Sequence, residues 1–326
     1  FRPFYWSAAL FACVSMLAWV AHFLGWAVVS PKMDLFWHAH EMVFGFSLAV
    51  VIGFLYTAAR NWTGLDTPTQ GKLMLIVLWW LAGRLAMLLL PPVFAMLIDA
   101  SFLAIAIWPL AQVLIQGRSK RNYGLLGILM GLALLNILSH LSHFLQWSFV
   151  SPLLFVHAAI LLIVTIASII AGRIIPSFTG NAIPTAKPVI KMWQEKWGLW
   201  LMLLSGGLWL FNAPAWLVAP ACLAAAGIQW LRWWGWRPLT TLRNPLLWIL
   251  HVSYLWVPIG FALMSITQTG YVSSSVVLHT FTVGAIAGLI MAMMTRTALG
   301  HTGRMLKAGR LEVVMYACIL SAALSR

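Results

Sequence analysis

Three histidines recur at nearly equal intervals along this chain, each near the start of an apolar segment. His40, His157 and His279 are separated by 117 and 122 residues, and each lies 22 or 23 residues before a Thr-Gly pair. Self-similarity of this kind indicates a repeated structural unit, here one of several helices. Equivalent histidines that a repeat brings together are suited to a metal or haem site, because neutral imidazole ligates copper, zinc and haem iron.

Most of the histidines are predicted to lie in one layer of a membrane. Counting about 1.5 Å per helical residue from the predicted ends of the apolar segments places seven of the nine near the outer boundary. Ionisable side chains in a bilayer are costly and usually face a bundle interior, which favours a metal or haem centre here. A single histidine of this kind is also a common hydrogen-bond partner between helices. The seven are His22, His38, His40, His140, His143, His157 and His279.

Two short spacings inside this layer suggest more specific roles. His140 and His143, three residues apart, share a helix face and can bind one ion together, or act as a ligand and its hydrogen-bonding partner. His38 and Glu41 share a face by the same spacing, whereas His40 is expected to point elsewhere. The second span can therefore carry ligands for two metal or haem centres. Alternatively, Glu41 can transfer protons beside the metal as the catalytic carboxylate. His38 is alternatively an interfacial residue near the helix N-terminus.

A further pair of charged residues lies inside the third and fourth apolar segments. The turn at Pro91-Pro92 makes these helices antiparallel neighbours, which places Arg84 and Asp99 at the same depth. We predict a structural ion pair between them, with a proton relay or a haem-propionate contact as the alternatives.

The elements that must position these residues are membrane helices. The chain is 62% hydrophobic and 8% charged, and apolar runs long enough to cross a bilayer recur from end to end. The fold class is therefore an all-α polytopic bundle. Eleven spans are predicted near 4–29, 37–59, 73–90, 93–116, 123–147, 152–175, 197–213, 215–231, 243–267, 272–295 and from 310 onward.

The spacing of His40, His157 and His279, which we call the marker histidines, divides this bundle into three pseudo-repeated units of four helices. The units cover about residues 1–117, 118–237 and 238–326 of a single transmembrane domain. The third unit has three helices, so we expect a twelfth span beyond the last residue. Sequence is expected to be missing before Phe1 as well.

The net charge of +14 follows the predicted topology. Nearly every lysine and arginine falls in loops on one side of the membrane, whereas Lys32 stands alone on the other. This asymmetry predicts a cytoplasmic N-terminus and argues against a nucleic-acid partner. Cys13, Cys222 and Cys318 match no metal-ligand spacing and are expected to be buried structural thiols.

Several motifs in order resemble the NnrS family. They are Trp37-His38-Ala39-His40-Glu41-Met42, Arg60-Asn61-Trp62-Thr63-Gly64, Gly172-Arg173-Ile174-Ile175-Pro176-Ser177-Phe178-Thr179, Leu278-His279-Thr280-Phe281-Thr282-Val283-Gly284-Ala285 and Arg296 with Gly300-His301-Thr302-Gly303-Arg304. The resemblance implies a twelve-span bacterial inner-membrane protein that contains haem b and copper. It also implies a part in nitric oxide metabolism, in denitrification or in resistance to nitrosative stress.

The layout is also similar to that of the catalytic subunits of haem–copper oxidases. Those proteins arrange twelve helices in three arcs, with ligand histidines on the second, sixth and tenth helices. His40, His157 and His279 lie on the corresponding helices here. This chain lacks the adjacent His-His pair on the seventh helix and the His-x-His on the tenth, so individual ligands do not transfer.

The leading hypothesis is a haem b and copper protein that binds, or binds and reduces, nitric oxide. His40 and His279 are the predicted haem ligands, with His38 as a further cofactor-binding residue. His157 with His140 or His143 is predicted to hold copper, and the electron donor is unknown. The alternatives are a non-catalytic nitric oxide sensor or electron carrier, and a proton or metal-ion transporter lined by Arg84, Asp99 and the histidines.

Overall fold

A computed structural model describes residues 2–26 and 30–326, and within these ranges it contains helices and no strand. Eleven long helices follow one another, joined by short turns. They are α1 (Arg2–Phe23), α2 (Leu35–Thr63), α3 (Gln70–Leu89), α4 (Pro92–Gln116), α5 (Tyr123–Phe144), α6 (Pro152–Ala182), α7 (Met192–Leu210), α8 (Ala215–Gly235), α9 (Pro245–Met264), α10 (Ser274–His301) and α11 (Arg310–Leu324). The predicted all-α fold is confirmed.

Nine of the helices in the described ranges are long and apolar enough to cross a membrane, so this is a multi-pass membrane protein. The other two, α7 and α11, coincide with the predicted spans near 197–213 and from 310 onward. The first turns of α7 are polar and contain Glu195 and Lys196. Helix α11 has 15 residues, fewer than the roughly 20 that a perpendicular crossing requires.

The chain divides into two compact units, which are described separately below. Unit 1 comprises residues 1–159, and unit 2 comprises residues 160–326, so that the division falls within α6. In unit 1, α4 packs against α2, α3 and α5, and α1 packs against α2 and α3. In unit 2, α7 packs against α8, α8 against α9, and α10 against both α9 and α11. The three four-helix repeats stay a prediction.

Many large apolar side chains point out of the bundle, as expected for helices in contact with lipid. On α1, Trp6, Leu10 and Leu17 are all at least two-thirds exposed. The expectation of three buried thiols is wrong for the same reason: Cys13 and Cys318 are exposed, and Cys222 is buried. In a membrane protein an apolar segment has no need to bury every face in protein, since lipid is as apolar as a protein core.

The helices that carry the three marker histidines begin in the same way. Each lies six residues after a residue whose side chain accepts a backbone N–H at the helix start: Asp34 from Trp37, Ser151 from Leu153, and Ser273 from Val276. Side-chain caps of this type satisfy N–H groups that have no partner within the helix. Each of His40, His157 and His279 therefore lies at the same distance, along its own helix, from the residue that caps it.

Helices α2 and α10 share a further feature that α6 lacks. Immediately after His40, residues Glu41–Ser47 of α2 form a π-helix, and immediately after His279, residues Thr280–Ala287 of α10 do the same. Both helices end at the predicted Thr-Gly pair, where Gly64 and Gly303 have φ of 72° and 69°. Short π segments inside α-helices frequently mark functional sites. Two of the three repeated segments thus agree in local conformation.

Candidate functional site

The most polar region of unit 1 surrounds the point where α2 changes from α- to π-helix. His40 and Glu41 stand at this junction, and both side chains are fully buried. Glu41 Oε1 lies 3.1 Å from His40 Nδ1, so Glu41 contacts the histidine that was expected to point elsewhere. A long glutamate side chain can reach its neighbour in sequence, and a count of residues along one helix face does not include that contact.

Arg84 of α3 links two buried carboxylates. Its Nη1 donates to Glu41 Oε1 over 2.7 Å, and its Nη2 forms an ion pair with Asp99 of α4. Arg84 is 3% exposed and Asp99 1% exposed. Gly83 lets α4 approach closely here, because a Cβ at this position would be 3.3 Å from the Asp99 Cα. The pair predicted from the Pro91-Pro92 turn therefore belongs to a larger network that includes Glu41.

The second oxygen of Asp99 faces two imidazoles. Asp99 Oδ2 lies 2.9 Å from His140 Nε2 and 3.4 Å from His40 Nε2, and it accepts a hydrogen bond of 2.9 Å from Asn136 Nδ2. His40 Nε2 also lies 2.8 Å from Asn136 Oδ1. One donor atom each from His40, Asp99 and His140 lies within 4.8 Å of the others. Among the described residues, this is the set of His, Cys, Asp and Glu side chains whose positions suit a shared metal ion.

We refer to His40, Glu41, Arg84, Asp99, Asn136 and His140 as the Arg84 cluster. It has a formal charge of −1 when both histidines are neutral, since two carboxylates face one arginine. Within the described part of the chain, Glu41 Oε2 and Arg84 Nε have no hydrogen-bond partner. Unsatisfied buried polar atoms are uncommon in folded proteins and often mark a functional position.

Aromatic rings extend this cluster across one end of unit 1. Trp19 stacks on His38 at a centroid distance of 4.7 Å, and Phe36 stacks on His143 at 4.2 Å. His22 is 6.4 Å from Trp19, and His40 is 4.7 Å from His140. The ends of α1 and α5 and the start of α2 thus bring five of the seven predicted histidines together.

The two remaining marker histidines occupy different surroundings. His157 lies near the start of α6 in unit 1 and is half-buried. His279 lies in unit 2, where its Nδ1 is 2.7 Å from the backbone carbonyl of Ser275. Because a carbonyl oxygen only accepts, Nδ1 carries the proton and the neutral ring keeps an unprotonated Nε2, the form that binds metals. A meeting of His40, His157 and His279 around one axis stays a prediction.

Sequence reasoning missed a second buried network, which lies in unit 2. Arg232 was assigned to a loop by its charge, but it lies inside α8 and is buried. Its Nε and Nη2 donate to the two carboxylate oxygens of Glu195 over 2.9 and 2.7 Å, and its Nη1 donates to Ser168, Gln229 and Tyr254. Gln229 at i−3 on an otherwise apolar helix was the available signal. Asn136, at i−4 from His140, was the corresponding missed signal in unit 1.

Helices, topology and site together define a multi-pass membrane protein that buries a charged, histidine-rich cluster inside apolar helices. Comparison with protein families makes the assignment specific: the NnrS protein family matches residues 1–326, the whole chain. The chain belongs to the NnrS family, and it is therefore a membrane protein linked to nitric oxide. No curated protein matches it.

Proposed function

We propose that this NnrS protein binds nitric oxide at a haem b held by His279 in the bacterial inner membrane, with the N-terminus in the cytoplasm. The observation that carries the proposal is the hydrogen bond between His279 Nδ1 and the Ser275 carbonyl. It fixes the ring orientation and leaves Nε2 as the metal-binding atom, which is the usual arrangement of a ligating histidine. A haem iron held there would supply the nitric oxide ligation and the electron transfer.

The residues of the chain then supply orientation and protons. His279 follows five residues of capped α-helix and precedes a π segment, so its backbone position is set by Ser273 and by the wider turn after it. Glu41 is the proposed proton carrier, because its Oε2 has no hydrogen-bond partner in the described residues and can accept a proton. Reduction of nitric oxide consumes protons, whereas simple binding does not.

His40 fits less well as a haem ligand than His279. Both of its ring nitrogens contact polar groups, Nδ1 with Glu41 and Nε2 with Asn136 and Asp99. We therefore propose His279 alone as the haem ligand. His38, stacked on Trp19 in unit 1, stays a predicted cofactor-binding residue.

The predicted copper ligands His140, His143 and His157 have different surroundings. His140 is hydrogen-bonded to Asp99, His143 is exposed and stacked on Phe36, and His157 lies on another helix. His143 and His157 are both outside the single group of metal-competent donors found among the described residues. No chemical step is assigned to copper here.

The test is the optical spectrum of purified protein, with and without nitric oxide. Wild type is expected to show a Soret band that shifts when nitric oxide is added to the reduced form. His279→Ala is expected to lose the band, whereas His301→Ala, at the exposed end of the same helix, keeps it. Wild-type protein without iron or a Soret band would overturn the proposal. Turnover with an electron donor separates a reductase from a sensor or electron carrier.

A second candidate function is transport of protons or metal ions. The observation that favours it is the Arg84 cluster itself, since buried ionisable groups inside membrane helices commonly line ion pathways. Metal-dependent uptake into vesicles by protein that contains no haem would support transport over nitric oxide binding.

A further inference from the structure

The contacts of His40 show that the Arg84 cluster requires an additional cation. His40 Nδ1 faces a carboxylate oxygen of Glu41, and its Nε2 faces Asn136 Oδ1 and Asp99 Oδ2. A neutral imidazole has one donor nitrogen and one acceptor nitrogen, so neither tautomer can satisfy acceptors on both sides. Turning the Asn136 amide over does not help, because its oxygen would then face Asp99. An extra proton on the ring or on a facing carboxyl group, or a metal ion bound through Nε2, would resolve this excess of acceptors.

The positions of the neighbouring donors favour a metal ion. Asp99 Oδ2 lies 3.4 Å from His40 Nε2 and 2.9 Å from His140 Nε2. Two ligands at about 2.1 Å from a tetrahedral metal ion are themselves about 3.4 Å apart, so both distances from Asp99 Oδ2 are near the spacing around one ion. One donor atom of each residue lies within 4.8 Å of the others. All three residues are buried.

The groups that would orient these ligands are also in place. Glu41 accepts from His40 Nδ1, which is the carboxylate–histidine–metal arrangement that directs Nε2 toward an ion. Arg84 in turn holds Glu41 and binds the outer oxygen of Asp99, Oδ1, so that Oδ2 is directed toward the two imidazoles. His40 and Asp99 are thus each fixed by a partner that is not itself a ligand.

We propose that His40, Asp99 and His140 bind a divalent first-row metal ion of intermediate hardness, such as Zn²⁺ or Fe²⁺. Two imidazoles and one carboxylate suit these ions, whereas Cu⁺ favours thiolate and thioether ligands, and Mg²⁺ and Ca²⁺ favour oxygen alone. The donor types decide which divalent ion fits this site. The charge does not, because any divalent ion changes the formal charge of the cluster from −1 to +1. This site is independent of haem on His279, and it takes His140 out of the predicted copper set.

Cobalt titration of the purified, chelator-treated protein tests the proposal, because Co²⁺ is a coloured probe for zinc sites. Wild type is expected to bind one Co²⁺ per chain with visible ligand-field absorption, and Zn²⁺ is expected to displace it. His140→Gln can still donate to Asp99 but lacks the metal-binding nitrogen, and its affinity should fall by at least about 10-fold. His143→Gln, one turn further along α5, should bind as wild type does.

Three results would overturn the site: no cobalt band in wild type, equal cobalt affinity in wild type and His140→Gln, or displacement of Co²⁺ by Cu⁺ but not by Zn²⁺. The first result would assign the extra cation to a proton on His40. Thermal unfolding of the same samples shows whether His140→Gln is folded. The Soret band, recorded in parallel, distinguishes failure of this site from failure of the haem proposal, since His279→Ala should keep the cobalt signal.

Discussion

Within the described residues, each unit of this protein buries an arginine between apolar helices, but the two arginines have different surroundings. Arg232 binds both oxygens of one carboxylate, Glu195, and three neutral oxygen acceptors. Its ring neighbours, Trp236 and Tyr254, lie 5.3 and 5.8 Å from the guanidinium carbon. Arg84 instead binds one oxygen from each of two carboxylates.

The difference separates a charge-balanced network from an unbalanced one. In the Arg232 network, arginine and glutamate charges cancel, and its buried side-chain polar atoms have hydrogen-bond partners. In the Arg84 cluster, the carboxylates outnumber the arginine, and Glu41 Oε2 has no hydrogen-bond partner among the described residues. A buried charge that is fully paired holds helices together, whereas an unbalanced set keeps the capacity to bind a further cation.

The largest expected effect comes from removing each arginine. Arg84→Gln and Arg232→Gln should each lower stability by about 3–5 kcal/mol, because the partner carboxylates lose their buried counter-charge. Arg60→Gln is the matched control. It breaks an exposed ion pair with Asp66 and should cost at most about 1 kcal/mol. Thermal unfolding in detergent measures all three.

Zinc should distinguish the two variants. Added Zn²⁺ is expected to raise the unfolding temperature of Arg84→Gln, since two carboxylates and two imidazoles remain to hold it. Arg232→Gln leaves the Arg84 cluster intact, so its unfolding temperature should rise with Zn²⁺ only as much as that of wild type. The cluster of Arg84→Gln carries one more uncompensated negative charge, and a rise for this variant no larger than that for Arg232→Gln would contradict the distinction drawn between the networks.

An intermediate effect is expected at Gly45, in the π segment of α2. A Cβ there would lie 2.6 Å from Arg84 Nη1 and 3.2 Å from Glu41 Oε2, so Gly45→Ala should displace the arginine. Overpacking of this kind costs about 1–3 kcal/mol. At Gly127 of α5 no atom lies within 4 Å of an added Cβ, and Gly127→Ala should instead gain up to about 1 kcal/mol. If the unfolding temperatures of Gly45→Ala and Gly127→Ala shifted in the same direction, the close contact between residue 45 and Arg84 would be refuted.

The smallest effects are expected at the helix caps. Asp34→Ala removes a 2.7 Å acceptor for the Trp37 N–H, and Ser273→Ala removes a 3.4 Å acceptor for the Val276 N–H. Each should cost about 0.5–2 kcal/mol, with the larger cost at Asp34, where the hydrogen bond is shorter. Asp34→Asn keeps a good cap and should unfold as wild type does. A larger loss at Ser273 would show that the two units use their caps differently.

Several features of the site were predictable because they depend on local rules. Arg84 and Asp99 face each other across a tight Pro-Pro turn, and that turn fixes the relative depth of two neighbouring helices. The caps at Asp34, Ser151 and Ser273 lie six residues before the marker histidines and are also readable in the sequence. Each cap lies six residues before its histidine in all three segments, which is a further repeat signal.

The partners of His40 and Arg232 were not predictable in this way. Asn136 is 96 residues from His40, and Glu195 is 37 residues from Arg232. The helices that carry them are apolar on all sides, so they lack the amphipathic stripe that identifies the inward face of a soluble helix. Arg232 was consequently assigned by its charge alone, and Glu195 was placed in a loop.

The sequence by itself determined that the chain forms membrane helices, in which order they follow one another, and which family it belongs to. Length and apolarity decide the first of these points, because about 30 Å of hydrocarbon must be crossed with every backbone group paired. The tertiary structure alone decided that Asp99 turns one oxygen to Arg84 and the other to two imidazoles. Which helix faces meet depends on close packing and on a few buried polar contacts, and in lipid no hydrophobic pattern along the chain encodes that choice.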